Sequence, residues 1–412
     1  MKFALISQVL PPSWSGQAIV LYRLLQNLRP DDYCLLSRQE ITLEQKENSR
    51  RLPGRYYHLP PEFETREGEL TGLAKWRRRL HVLLNTVFGL GIVLRGRRIA
   101  GIVRREKCDA IVACTGGDLL DLPAGYLASR LLGISFYAYI FDDYRYVWPK
   151  MRFFAARLES FLLKRAAGVI APNEFMRDEL SLRYGITPVV IHNPCDLTEY
   201  EVSRTEESVT DREFRLVYTG AIYDAHYDAF RNLLKAVELV GRPDLKLHLY
   251  TAFPPSQLSA NGINGPIIYH EHQSVSTMPS IQQQADILFL PLAFSSPYPE
   301  MIRTSAPGKI GEYLAARRPI LVHAPPDSFV AWYFRKHDCG LVVDEQNPQR
   351  LAEAIEQILT DQELRQRLSQ HAWEQAQADF DISTARRRFA ELMKIDSARE
   401  SHILAATHTQ SS

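Results

Sequence analysis

The sequence predicts an α/β protein of two Rossmann-like domains facing each other across a cleft. Three observations carry that expectation. Short apolar runs alternate with segments of helical period along most of the chain, which is the pattern of parallel sheets covered by helices. The alternation stops at a polar stretch from Glu199 to Asp211 and then restarts. The length, 412 residues, fits two domains of about 100 to 200 residues, each able to bury its own core.

In chain order, Phe3 to Ser7 reads as a short buried strand. The loop Pro11-Pro12-Ser13-Trp14-Ser15-Gly16 and a helical period through Ala18, Val20, Leu21, Leu24, Leu25 and Leu28 follow. A second unit has the strand Asp109 to Cys114, the turn Thr115-Gly116-Gly117-Asp118 and a helix from Ala124 to Leu132. The strand Ser135 to Phe141 ends at Asp142-Asp143. A helix from about Arg152 to Ala166 and the strand Gly168 to Ala171 complete the first half. Turn chemistry at Val190 to Asp196 closes it, which places the first domain at residues 1–196.

The second half, 197–380, opens with the strand Arg215 to Tyr218, the turn Thr219-Gly220, a helix from about Ala229 to Val240 and the strand Lys246 to Tyr250. Next come the strand Ile267 to Tyr269, a helix from about Met278 to Gln284 and the strand Ile287 to Leu290. A helix from about Pro307 to Ala316 leads to the strand Pro319 to His323. Helices at Pro348 to Leu359 and Gln362 to Phe380 follow. A last helix, within 381–396, is expected to return to the first domain, and the polar tail 397–412 is expected to be disordered.

Composition narrows the class. With 49 basic and 48 acidic side chains the formal charge is +1, so no nucleic-acid partner is expected. Apolar residues at 45% argue against a disordered chain. Cys34, Cys108, Cys114, Cys195 and Cys339 lie far apart without a C-x-x-C pair. They suit reduced thiols in the cytoplasm rather than a disulfide framework or a thiolate zinc site. Met1-Lys2 runs straight into the first strand, so a secretory leader is not expected, and no apolar stretch is long enough to span a bilayer. His270-Glu271-His272 lacks a ligand spacing, so neither a metal nor a cofactor is expected.

Motifs of the second half carry a resemblance. The run from Ser305 through Pro307, Lys309 and Glu312 to Ile320 is similar to the donor-site loop and helix of retaining glycosyltransferases of the GT-B fold, in particular glycosyltransferase family 4. Ser15-Gly16, Ala166 to Asn173 with His192-Asn193-Pro194-Cys195-Asp196, and Val217-Tyr218-Thr219-Gly220 support it in the family's order. The resemblance spans about residues 1–395. It implies transfer of a sugar from a nucleotide-sugar donor to a saccharide or lipid-linked acceptor with retention, plausible in surface polysaccharide assembly. Within it, Glu312 would accept hydrogen bonds from the ribose hydroxyls.

Elementary chemistry fits that helix. Pro307 suits a first turn, and backbone N–H groups from Ser305 to Lys309 would face an anion such as a pyrophosphate. Lys309 adds charge, and Glu312 lies three residues on, along the same face. The same two residues would equally make an exposed helical pair of small worth.

The sequence departs from the family pattern in two places. Thr304 stands eight residues before Glu312, where the family has a glutamate, and Glu300 is off register. After Gly220, where the family has a basic pair, stand Ala221 and Ile222, with His226 and Arg231 further on; Arg303 or Lys309 would have to substitute. In the first half, Asp142 and Asp143 fill the place of an acceptor-side histidine. Either would orient an acceptor hydroxyl, or serve as a cap or a solvated loop carboxylate. Gly16 and Gly220 read as points of close ligand approach, and Gly117 as turn geometry.

Residues 75–107 hold ten basic side chains and one acid, Glu106, around the apolar segment Leu80 to Leu94. That pattern suits an anionic membrane surface, which would place the protein peripherally at the inner face of the membrane; it equally suits a core helix with solvated ends. Two readings outside a transferase stay open: a catalytically inactive binding or scaffold protein with this fold, and a sugar-nucleotide epimerase or phosphorylase.

Overall fold

The computed structural model describes residues 1–13, 15–39, 50–60, 88–116, 118–147, 152–201, 213–271 and 273–395. Gly117, residues 75–87 of the basic region, most of the polar stretch after Glu199, His272 and the tail 397–412 lie outside the described residues. The chain divides into two compact units, 1–191 together with the chain from Arg386, and 192–385.

The first unit is a parallel sheet of β1 (Phe3–Ile6), β2 (Tyr33–Ser37), β3 (Arg55–His58), β4 (Ala110–Cys114), β5 (Ser135–Tyr139), β6 (Gly168–Ala171) and β7 (Val189–Val190), in the order β3-β2-β1-β4-β5-β6-β7. Its helices are α1 (Gly16–Leu25), α2 (Phe88–Glu106), α3 (Asp121–Leu132), α4 (Tyr144–Val147), α5 (Arg152–Leu163) and α6 (Glu174–Tyr184). Strand order reverses between β1 and β4, and in open parallel sheets ligands gather outside the strand ends at such a point. One core joins Ile6, Leu36, Ile111 and Ala138 of the strands to Ile99 and Val103 of α2, Leu122 and Ala128 of α3, Ala155 and Leu162 of α5, and Leu180 of α6. These helices therefore cover one face of the sheet.

The second unit repeats the plan. It comprises α7 (Thr198–Glu201), β8 (Phe214–Thr219), α8 (Tyr227–Val240), β9 (Leu245–Tyr250), α9 (Pro255–Ala260), β10 (Ile267–His270), α10 (Met278–Gln283), β11 (Ile287–Pro291), α11 (Pro299–Arg303), α12 (Lys309–Ala315), β12 (Ile320–His323), α13 (Phe329–His337), β13 (Leu341–Val343), α14 (Pro348–Thr360) and α15 (Gln362–Gln375). The all-parallel order β10-β9-β8-β11-β12-β13 reverses between β8 and β11. A five-residue π-turn, Ala376–Phe380, ends α15 before α16 (Ile382–Met393). In the first unit the Arg386 side chain donates to the Arg23 carbonyl at 2.7 Å, and the Phe389 ring meets Phe3 at 5.8 Å.

Two expectations need correcting. The apolar segment read as ending at Leu94 continues as a single helix, α2, through the basic cluster to Glu106. Arg95, counted there as a surface cation, is fully buried and paired with Asp118 at 2.8 Å and Asp121 at 2.6 Å. Helix α2 packs on α3 so closely that a Cβ at Gly96 would lie 2.9 Å from Leu127. The donor-type helix begins at Lys309 rather than Pro307, and the Ser305 N–H already donates to the Ile302 carbonyl at 3.2 Å.

Candidate functional site

At the end of β8, Gly220 takes φ of 117°, a left-handed conformation that side chains disfavour, and its N–H donates to the Tyr250 carbonyl at 2.8 Å. The vacancy left by its missing side chain is occupied by Lys309. A Cβ at Gly220 would lie 3.2 Å from Lys309 Nζ. That amine donates to Tyr218 Oη at 2.6 Å and sits 3.8 Å from the centre of the Tyr218 ring. Tyr218 in turn donates to the Ala221 carbonyl at 2.5 Å. Thus, where the sequence lacks a basic pair after Gly220, α12 brings a cation to the same turn.

Burial pushes the Lys309 amine down to about 7, against the pull of Glu312 toward the ammonium. His226 lies beside it, its ring 6.2 Å from Tyr218 and 4.4 Å from Tyr223. Burial, reinforced by Lys309, holds this imidazole down at about 3, so it is neutral near pH 7 and does not replace a missing cation. Arg231 is turned elsewhere, donating to the Asn261 carbonyl at 2.9 Å.

Glu312 sits one turn beyond Lys309 and is half-buried. A small network fixes its helix to the strand end. Gln282 Nε2 donates to Thr219 Oγ1 at 3.1 Å and reaches Glu312 Oε2 at 3.4 Å, while Tyr200 Oη donates to Gln282 Oε1 at 2.6 Å. The Thr219 N–H donates to Tyr313 Oη at 3.0 Å. The linker motif contributes as well: Asn193 Nδ2 donates to the Ala306 carbonyl at 2.9 Å, holding the loop before α12. Ser305 is half-buried in that loop. Arg303 ends α11, and the hydroxyl of buried Thr304 donates to the Glu300 carbonyl at 3.0 Å.

Sequence reasoning singled out Gly220, Lys309 and Glu312, and the structure brings these three together. It missed Tyr218, His226 and Gln282 as site members. Tyr218 reads as an ordinary strand residue, and nothing in the spacing of Gln282 connects it with Thr219.

In the first unit, Ser15 caps α1, accepting from the Ala18 N–H at 3.2 Å, and space around Gly16 is open for 4 Å from where a Cβ would stand. Gln17 Nε2 joins the ends of β1 and β4, donating to Ser7 Oγ at 3.0 Å and the Thr115 carbonyl at 3.1 Å. Thr115 Oγ1 donates to the Asp142 carbonyl at 2.9 Å and accepts from the Phe141 N–H at 2.9 Å.

The two aspartates differ. Asp142 is exposed, and desolvation by surrounding protein, then the Asp143 charge, raises its carboxyl above the ordinary range. Asp143 is buried. Arg145 reaches it at 3.0 Å and Arg183 at 2.9 Å, and against burial these guanidiniums hold its carboxyl low. Asp143 is geometrically an anchor for the loop, and Asp142 is the carboxylate that the anchored loop presents.

Two Rossmann-like units, each with its side chains converging at a sheet switch point, define a GT-B-type protein. Residues 14–199 match the family described as Glycosyltransferase Family 4, and residues 213–361 match Glycosyl transferases group 1. The chain belongs to the family 4-like GT-B glycosyltransferases and is a glycosyltransferase. Solved structures agree on the fold. HepE of Anabaena, in complex with UDP and glucose, is 14% identical over 96% of this chain and 100% of its own, with a TM-score of 0.67. Sucrose-phosphate synthase of Thermosynechococcus elongatus is 14% identical over 98% and 99%, with a TM-score of 0.67. MnaA of S. aureus, solved with UDP, is 14% identical over 94% of each chain, with a TM-score of 0.57. No curated protein matches the sequence. Among the described residues no helix is long and apolar enough to cross a membrane.

Proposed function

We propose that the protein transfers a glycosyl group from a nucleoside diphosphate sugar to a saccharide or lipid-linked acceptor, with retention of configuration, in the assembly of a surface polysaccharide. The observation that carries this reading is the placement of Lys309 Nζ over Gly220, one turn from Glu312. The diphosphate takes the place at Lys309 that Tyr218 Oη now holds, and Gly220 lets its oxygens approach the backbone. Glu312 accepts from the ribose hydroxyls. Uridine is the base to test first, because HepE and MnaA were solved with UDP.

Bond cleavage then relies on charge at the departing diphosphate and on positioning of the acceptor, with no protein nucleophile assigned. Asp142 orients the acceptor hydroxyl; desolvation, then the Asp143 charge, raises its carboxyl and makes it a stronger proton acceptor than a free aspartate. Arg303 and Ser305 flank the donor loop as secondary donor contacts, and Gly16 is the approach point on the acceptor side. The exposed arginines of α2 favour peripheral attachment at the inner membrane face.

The test is thermal stability against UDP and UDP-sugars, for wild type and Glu312→Ala. At about one hundred times its dissociation constant a ligand should stabilise by roughly 2.7 kcal/mol. Loss of that stabilisation in the variant supports the site, and an unchanged response removes Glu312 from it. The anomeric configuration of the product, read by proton NMR, decides retention. A second reading, a donor-binding protein without turnover, rests on Thr304, whose hydroxyl is turned to Glu300 rather than presented as a carboxylate. Tight UDP binding without donor hydrolysis or transfer would favour it.

A further inference from the structure

Helices α2, α3 and α5 contain one acidic residue each, Glu106, Asp121 and Glu159, and all three are buried. Lys2 and Arg55 hold Glu106 at 2.8 and 3.0 Å, Arg95 holds Asp121, and Tyr184 donates to Glu159 at 2.5 Å. What these helices show to solvent is therefore cationic and apolar. On α2 the exposed residues include Arg97, Arg98, Arg104 and Arg105. On α5, Phe153 and Phe161 are 71% and 45% exposed, and Arg157 and Arg165 lie 4.3 and 4.0 Å over their rings. Residues 153, 157, 161 and 165 recur at helical spacing, so aromatic rings and guanidiniums alternate along one outward stripe.

Between the end of β3 and α2 lies a groove of about 400 Å³, lined by His58, Leu59, Arg97, Arg98, Ile102 and Arg105 among others. Arg98 is steadied by the Pro60 carbonyl at 3.1 Å, and Arg105 rests 5.4 Å from the Tyr57 ring. Arg97 carries no ion pair among the described residues. Among the described residues no carboxylate lines the groove, and guanidiniums converging on an apolar wall match a phosphate attached to an acyl-bearing group.

We propose that this groove binds the phosphate of an anionic lipid headgroup, and that the face formed by α2, α3 and α5 docks on the bilayer with Phe153 and Phe161 entering the interface. This deepens the peripheral reading given above and is independent of the donor site. The outward faces of these three helices, whose own acids are all buried, provide the charge complementarity. The exposed rings, which a soluble phosphate would leave unused, select a membrane as the source of that phosphate.

Flotation of the full chain with vesicles tests it. The vesicles are phosphatidylcholine alone, phosphatidylcholine with phosphatidylglycerol, and phosphatidylcholine with oleate at matched charge. The double variant Arg97→Ala/Arg98→Ala is compared with Arg130→Ala/Lys164→Ala, which removes the same charge from the same face outside the groove. The proposal expects phosphatidylglycerol vesicles to be preferred over oleate vesicles. It also expects the groove variant to lose about tenfold more binding than the control. Phe153→Ser/Phe161→Ser should weaken retention on phosphatidylglycerol vesicles. Equal losses in the two charge variants would reduce the effect to diffuse attraction and overturn the site. Retention on phosphatidylcholine alone, or full competition by glycerol phosphate without lipid, would overturn the lipid assignment. UDP-dependent thermal stability is read in every variant: if it is absent from wild type, the donor reading fails while the groove stands or falls by flotation.

Discussion

At Lys309 two effects oppose each other, burial favouring the neutral amine and Glu312 favouring the ammonium, and burial wins far enough to bring the group down from 10.5 to about 7. In the pH range between these values the unfolded chain binds one more proton at this residue than the folded chain. The buried amine therefore costs stability in full below about pH 7, and that cost shrinks as pH rises and disappears toward 10.5. A bound diphosphate reverses the preference. Below about pH 7 the ammonium is already in place; above it, each nucleotide bound must bring a proton with it, and affinity for UDP should fall by up to about tenfold per pH unit. Calorimetry at pH 8 in buffers of different ionisation enthalpy reads that uptake directly. Lys309→Met should abolish both the uptake and the pH slope while raising the melting temperature of the unliganded protein. A pH-independent affinity in wild type would exclude Lys309 from the diphosphate.

The aspartates separate by a different measurement. Removing the Asp143 carboxylate takes the counter-charge from Arg145 and leaves Arg183 with Glu179 alone, and breaking a buried pair costs about 3–5 kcal/mol. Asp143→Asn should lower the melting temperature accordingly. Asp142→Asn should leave melting and UDP affinity alone and lose transfer. The sequence placed both residues after β5, but only the arginines, one of them forty positions away, distinguish anchor from presented group.

At the level of elements, legibility followed burial. β1, β4, β6, β8 and β11 were readable because each is a short apolar run wholly or mostly inside a core. β3, Arg55-Tyr56-Tyr57-His58, carries no such run: it is an edge strand, half in solvent, and its place is set by pairing with β2. Helix α2 was obscured by its own arginines. Nothing local reveals that Arg95 turns inward, because its partners Asp118 and Asp121 arrive from the β4–α3 connection. In α12 the Lys309 and Glu312 spacing was legible, whereas the exact start of the helix depends on Asn193, more than a hundred residues earlier.

The glycines of these elements make opposite predictions. A Cβ at Gly311 would lie 3.1 Å from both Cys195 and Phe380, so α12 rests directly on the linker motif. Gly311→Ala should destabilise by about 1–3 kcal/mol, and by tilting α12 should weaken UDP binding too. Gly16 has open space instead, so Gly16→Ala should leave the melting temperature unchanged. A loss of transfer in that stable variant would mark Gly16 as a point of close ligand approach, and full activity would remove it from the site.

Over the whole molecule, the two units bury ionisable groups of opposite kinds, and acid should therefore act on them in opposite directions. The second unit hides histidines. Burial holds His323 at about 4 and His226 at about 3, against an unfolded value of 6.5. Between those limits the unfolded chain binds more protons, so this unit loses stability as pH falls from 6.5. The first unit hides carboxyls. Glu159 and Asp121 are raised above their unfolded values, first by burial and then by the neighbouring Asp143 and Asp118 charges, so the folded unit binds more protons and gains stability as pH falls from neutrality toward 4.5. Its groups of the other kind respond later: despite burial, Lys2, Tyr57 and Arg55 hold Glu106 at about 2, and its contribution fades only below 4.5. Hydrogen exchange at pH 7 and pH 5, corrected for intrinsic rates, should show protection falling in β8, α8 and β12 while β4, β5 and α3 keep theirs or gain. His226→Phe should flatten the acid loss of the second unit, since the ring packs on Tyr218 and Tyr223 and its Nδ1 has no hydrogen-bond partner among the described residues to forfeit. Earlier opening of the first unit would instead require Glu159 and Asp121 to be ionised in the folded protein, and would withdraw the carboxyl half of the argument.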